Sequence, residues 1–169
     1  HWAQTTNEAN SIVLNIARNA DAKLAVKGKS MVSEEMELNH FLAENGIEAL
    51  ESDLGEYIIQ VDHELPSHII MPAIHKNREE ISEVFQKKVA PAKKSDTAEE
   101  MTETAREILR EKFRNAGIGI SGVNFAVAET GTLCLVENEG NGRFCTTMPR
   151  VHIALMGIEK VVGKLEDLP

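Results

Sequence analysis

GIGISGVNFAVAETGTLCLVENEGNGRFCTTMPRVHIALMGIEK, residues 117–160, is the stretch that decides how this chain reads. Three apolar runs of strand type, at 123–128, 133–136 and 151–156, are separated by two loops dense in Glu, Asn, Thr, Gly and Arg. Gly131, Gly140 and Gly142 allow positive φ and close approach of the backbone to a ligand, while Glu129, Glu139 and Arg143 bring charge to the same rim. A binding surface on a sheet edge is the expectation.

Upstream of that stretch, helical and strand patterns alternate. Thr5 and Glu8 have capping-box spacing, and Ala9, Ile12, Val13, Ile16, Ala17 and Ala20 recur at helical intervals. Leu24-Ala25-Val26-Lys27 reads as a short buried strand, broken by Gly28-Lys29-Ser30 before a second helix capped by Ser33, with Glu34 and Glu35 in its first turn. Asn45-Gly46 stops that helix, and residues 47–50 and 57–61 read as strands, with Ile69-Ile70-Met71 as a third short one. Ile74, Ile81, Val84, Phe85 and Val89 give a helix that ends before Pro91, and residues 91–96 read as a mobile linker. Thr97 and Glu100 form another capping box, opening a helix with Met101, Ala105, Ile108, Leu109 and Ala116 on its apolar face and Gly117 as its stop. This order predicts one α/β domain over residues 1–169, with a mostly parallel central sheet and helices on both faces.

Composition narrows the function. With 169 residues, 42% of them hydrophobic and a single Trp and Tyr, the core is aliphatic. A net charge of −9 leaves no basic stripe for a phosphate backbone, which argues against a nucleic-acid partner. No run approaches the ~18 to 20 apolar residues of a membrane span, and no leader pattern opens the chain, so a cytoplasmic location is expected. Cys134 and Cys145 match neither a zinc nor a redox spacing and read as ordinary reduced thiols. The chain opens on His1, with Trp2-Ala3 resembling the end of a strand, and is expected to be part of a longer protein.

Ligands of open α/β sheets bind beyond the carboxyl ends of the strands, and three loops qualify. In Lys27-Gly28-Lys29-Ser30-Met31-Val32-Ser33, Lys29 and Ser30 at a helix start suit a carboxylate or phosphate, and the plain alternative is solvated lysines beside a capped helix. It lacks the Walker spacing. In Glu129-Thr130-Gly131-Thr132, Glu129 is the one candidate for acid or base catalysis and Thr130 and Gly131 are candidate ligand contacts; the alternative is a simple hairpin turn. The third, residues 137–150, offers Asn138, Glu139, Gly140, Arg143 and Thr146, with Arg143 able to grip an anion through paired hydrogen bonds. The run Asp62 to His68, with His75 nearby, carries metal-binding residue types, but Pro66 interrupts it and a polar loop is the better reading, so no metal is assigned. His152 is expected as a hydrogen-bonded core residue.

Several longer motifs in one order resemble a known family. Lys29-Ser30-Met31-Val32-Ser33-Glu34-Glu35, Asp53-Leu54-Gly55-Glu56-Tyr57-Ile58-Ile59-Gln60, Pro66-Ser67-His68-Ile69, Pro72-Ala73-Ile74-His75-Lys76-Asn77-Arg78 and the stretch 119–160 resemble the LUD domain of LutB-type lactate-utilisation iron-sulfur proteins. The resemblance implies a three-layer α/β/α fold similar to the CoA-transferase and ribose-phosphate-isomerase superfamily. It also implies a place in a cytoplasmic complex that oxidises L-lactate to pyruvate, with its other subunits as partners. Full-length relatives add an N-terminal helical region and a C-terminal ferredoxin-like module with two 4Fe-4S clusters, so no cofactor is expected in this chain and alone it should not turn over lactate. A small carboxylate or phosphate ligand is the expected occupant. The alternatives are a stand-alone sugar-phosphate or acyl-CoA domain, or a purely structural assembly domain.

Overall fold

A computed structural model describes residues 1–93 and 96–169, and the expected linker at 91–96 runs across the two positions outside that description. The Thr5 hydroxyl accepts the Glu8 N–H at 3.2 Å and opens α1 (Thr6–Asn19). The returning arm of the expected capping box lands one residue early, with the Gln4 N–H donating to the Glu8 carboxylate at 2.8 Å. β1 (Leu24–Lys27) leads into α2 (Met31–Glu35), which is capped by Ser30 and not by Ser33. The Ser33 hydroxyl turns inward instead and donates to the Ser30 carbonyl at 2.7 Å. α3 (Leu38–Glu44) ends at Asn45, followed by Gly46 at φ 76°, and β2 (Glu48–Glu51) follows.

Residues 57–61, expected as a strand, lie in a helix, α4 (Leu54–Asp62), opened by the Asp53 carboxylate accepting the Glu56 N–H at 3.1 Å. Glu56, Tyr57, Ile58 and Ile59 are consecutively buried, so α4 is enclosed around most of its circumference and shows no clean helical period in the sequence. Residues 69–71 form no strand: the segment between Pro66 and Pro72 bends, and Ile69, Ile70 and Met71 face solvent. Asn77 and Glu80 box the start of α5 (Arg78–Val84), which continues as a π-helical turn (Phe85–Val89) and leaves Ile74 outside, exposed. The Thr97 and Glu100 capping box opens α6 (Ala98–Asn115) as expected. Gly117 is not a helix stop but the entry to a strand, its N–H donating to the Leu24 carbonyl at 3.0 Å.

That strand, β3 (Ile118–Gly122), escaped the sequence reading and lies inside the sheet. β4 (Phe125–Val127) and β5 (Thr132–Cys134) form an antiparallel hairpin, and α7 (Asn141–Thr147) occupies much of the expected third loop. β6 (Val151–Leu155) returns to the main sheet, while β7 (Val161–Val162) pairs parallel with β4 in a separate three-stranded sheet. The main sheet has the order β2-β1-β3-β6, all parallel, in registers that align Ala25 with Ala49 and Ile118, and Ile118 with Val151.

Helices cover both faces, as three layers require. Ala25, Ala49, Ile118, Ile120 and Ile153 pack against Val13, Leu14 and Ala17 of α1 and Leu38 and Leu42 of α3. On the opposite face Val26 meets Phe113 of α6 and Cys145 of α7, while Ile58, Phe85, Met101 and Ala105 tie α4, the π-turn and α6 together. Among the described residues, no helix is long and apolar enough to cross a membrane.

α7 reaches β3 because Gly119 has no side chain: a Cβ there would run into the Cys145 carbonyl oxygen. The Gly119→Ala variant should therefore lose about 3 kcal/mol of stability, the scale of overpacking against a backbone that cannot yield. Gly131→Ala, in open space at φ 69°, should lose only about 1 kcal/mol through left-handed strain. Urea denaturation of the two variants should show that gap in midpoint; equal midpoints would mean that α7 is free to shift away.

Candidate functional site

Four parallel strands place all their carboxyl ends along one edge, and in the order β2-β1-β3-β6 the chain leaves β1 for β2 on one side and β3 for β6 on the other. Such a switch point opens a crevice between diverging loops. Lys27 ends β1 with only 1% of its side chain exposed, its ammonium 2.8 Å from the Glu51 carboxylate at the end of β2 and donating to the Ser33 hydroxyl at 2.9 Å. Glu51 Oε1 also accepts from Asn39 Nδ2 at 2.6 Å, whereas Oε2 is buried with no hydrogen-bond partner among the described residues. One residue on, the Ser52 hydroxyl donates to the Lys27 carbonyl at 2.8 Å and lies 3.5 Å from Cys145 Sγ. Burial pushes the Cys145 thiol up to about 11, so it stays protonated at neutral pH and serves as packing.

Outward from this buried pair stands Lys29, its ammonium 3.2 Å from Glu56 and donating to the Ile70 carbonyl at 3.3 Å. Carboxyl groups gather round it. Burial raises Glu56 above its ordinary value, and neighbouring Glu51 and Asp53 add to the rise against the pull of Lys29. Glu34 rises by burial and then by repulsion from Glu56. Glu139 rises by burial and by its proximity to Asp53, with which it shares a hydrogen bond, although it also accepts the Leu54 N–H. Three carboxyl groups shifted toward their protonated forms thus surround one lysine at this edge.

The structure thus groups Lys29 and Glu139, with Asn138 and Gly140 in the same loop as Glu139. Ser30 sits under the end of β3, where a Cβ on Gly122 would lie 3.1 Å from its hydroxyl. Glu129, Thr130 and Gly131 form the β4–β5 turn: the Glu129 N–H donates to Gly163 O at 3.1 Å and the Thr130 hydroxyl to Thr132 at 2.8 Å. None of the three bonds to Lys29, Ser30 or Glu139. Arg143 is largely exposed on α7, its guanidinium 3.8 Å from Glu137, whose carboxylate also takes the Arg143 N–H. The Thr146 hydroxyl donates to the Arg143 carbonyl at 2.9 Å, a bond internal to the helix.

Lys27 reads in the sequence as one of two loop lysines, anion-holding or solvated, and is instead buried against Glu51; Glu51, Asp53 and Glu56 went unselected as site residues. The available signal was Asp53-x-x-Glu56 directly after a strand, a helix start at a carboxyl edge. The run from Asp62 to His75 is an ion-pair network: Lys76 bridges Asp62 at 2.5 Å and Glu64 at 2.9 Å, and His75 spans Ser67 and Glu64. Hydrogen bonds from Lys76 and then Lys88 hold the Asp62 carboxyl well below its usual range. Among the described residues, no three His, Cys, Asp or Glu side chains group around a metal position. His152 bonds to the Ser121 hydroxyl at 2.8 Å as expected, but on the exposed side of β6 and not in the core.

Because the Lys27–Glu51 pair is buried, removing one member strands the other. Lys27→Met should destabilise the chain by about 3 to 5 kcal/mol, and adding Glu51→Leu should recover most of that loss. Thermal and chemical melts of the two single variants and the double would check this; a double variant no more stable than either single would show that the pair is not the coupled unit.

A family model for the LUD domain matches residues 1–169. The chain is 52% identical to lactate utilization protein B of Bacillus pumilus (strain SAFR-032) over 168 residues, 99% of this chain and 35% of the relative. It is equally similar, over the same span, to lactate utilization protein B of Bacillus thuringiensis (strain Al Hakam) and of Bacillus cereus (strain B4264). It therefore spans about a third of the length of these relatives. No solved structure matches it. Matched along its full length, with a parallel sheet covered on both faces, this chain belongs to the LUD domain family.

Proposed function

We propose that this domain works in a cytoplasmic lactate-utilisation assembly that oxidises L-lactate to pyruvate, holding a small carboxylate at the carboxyl edge beside Lys29. The observation that carries the reading is the 52% identity to lactate utilization protein B across 99% of the chain. Lys29 supports the ligand position: its side chain is 26% exposed at the edge, and its partner Glu56 has a raised affinity for a proton. A ligand carboxylate takes the place of Glu56, which is neutralised as it withdraws. Leu65, Ile69, Ile70, Met71 and Ile74 stand exposed on the segment that reaches over Lys29, which supports docking of partner subunits there.

Loss of two electrons from lactate requires a carrier, and 4Fe-4S clusters supply one when bound. Each takes four thiolates. Cys134 and the buried Cys145 do not furnish such a set, so the clusters belong to other parts of the assembly and this domain binds and positions.

The proton linkage has a definite sign. Protonating Glu56 frees Lys29 and removes a repulsive charge, so anion affinity should rise as pH falls into the range, above that of an ordinary glutamate, where Glu56 takes up its proton. Titration calorimetry with L-lactate and pyruvate should show this in the unmodified chain, with the pH dependence reduced in Glu56→Gln and binding lost in Lys29→Met. Binding of a sugar phosphate or an acyl-CoA ester in preference to either acid would favour the stand-alone reading instead.

A further inference from the structure

α6 turns one stripe of side chains, Ala105, Leu109 and Phe113 with Arg106 and Arg110 beside them, toward α7 across a slot. Phe144 and Met148 form the opposite wall, and Leu54 closes the side nearest the sheet edge. The Phe113 and Phe144 rings meet with centroids 5.4 Å apart at 59°, a tilted contact that fixes one end of the slot. The slot is open to solvent along one side and has a volume of about 480 Å³, within the range of small-molecule sites.

Polar groups around this slot are unequal. Arg106 is paired with Glu103, and Glu139 is engaged with Asp53 and the Leu54 N–H. The Ser52 hydroxyl is spent on the Lys27 carbonyl. Arg110 alone brings a guanidinium that makes no hydrogen bond or ion pair among the described residues; it acts on Glu107 only through its field, behind the hydrogen bond from Lys93. An apolar slot with an uncommitted planar cation at its rim selects a molecule that is apolar along its body and anionic at one end.

We propose that the slot between α6 and α7 binds an amphipathic monocarboxylate, its body between Leu109, Phe113, Phe144 and Met148 and its carboxylate on Arg110. Lactate is too small and polar to fill it, inorganic phosphate has nothing to place against the apolar walls, and an amphipathic amine meets two arginines. This site does not depend on the lactate reading, because it uses neither Lys29 nor Glu56.

Calorimetric titration of the chain with octanoate, and with octanol as its uncharged counterpart, tests the assignment. Octanoate should bind saturably, and Arg110→Gln should weaken it about tenfold, the equivalent of one charge-assisted hydrogen bond, while leaving octanol affinity within about twofold. Met148→Trp, a change at an exposed position that fills the slot, should weaken both about tenfold. Lys29→Met should leave octanoate binding unchanged, which separates this site from the edge. The proposal is overturned by absence of saturable octanoate binding below about 1 mM, by equal weakening of octanoate and octanol in Arg110→Gln, or by unaltered affinity in Met148→Trp.

Discussion

The ion pair between Lys27 and Glu51 is the constraint around which the carboxyl edge is organised. It joins the ends of two adjacent strands, takes a hydroxyl from α2 through Ser33 and an amide from α3 through Asn39, and is shut away from water. Two charges in that position are desolvated, so they hold only while each has the other and its hydrogen bonds. Strand ends, first helix turn and second helix are thereby fixed to one another, and the positions of Lys29 and Ser30 follow from that register.

Charge at the edge is then layered. Inside, Lys27 is matched by Glu51; outside, Lys29 stands among Glu34, Glu56 and Glu139, all raised by burial before any neighbour acts on them. A lysine locked into a permanent salt bridge would make a poor anion site. In the reading proposed here the pair is exchangeable: desolvation shifts Glu56 toward its protonated form, in opposition to the hydrogen bond from Lys29. The opposite face of the sheet is different in character: α6 and α7 pack through Phe113, Phe144 and Cys145, and leave an apolar slot where the edge is polar.

Much of the fold was legible because local chemistry and tertiary context agreed. The caps at Thr5 and Thr97, the buried run Leu24–Lys27 and the turn at Asn45-Gly46 each specify one local conformation, and the alternation of elements gives a parallel sheet. Three elements escaped for separate reasons. α4 is buried on most sides, which erased its helical period and left a run of β-branched and aromatic residues that imitates a strand. β3 carries glycines at Gly119 and Gly122, required by the close approach of α7 and of Ser30, and so reads as a loop. α7 is short and built from Asn, Gly and Thr, poor helix formers held in place by packing on β3. Of the candidate site, Lys29, Ser30 and the Glu139 loop could be found from strand-end logic, but Lys27 and Glu51 could not: nothing in a sequence says that a lysine after an apolar strand turns inward to meet a glutamate 24 positions later.

The central claim is that the carboxyl edge beside Lys29 is where a small carboxylate docks. Backbone amide resonances of the isotope-labelled chain, followed during titration with L-lactate, test it most directly. The account predicts shifts that saturate and concentrate at Gly28, Lys29 and Ser30, at Leu54 and Gly122 around them, and at Glu139. Saturating shifts confined to the β4–β5 turn at Glu129, Thr130 and Gly131, or none at all, would contradict it.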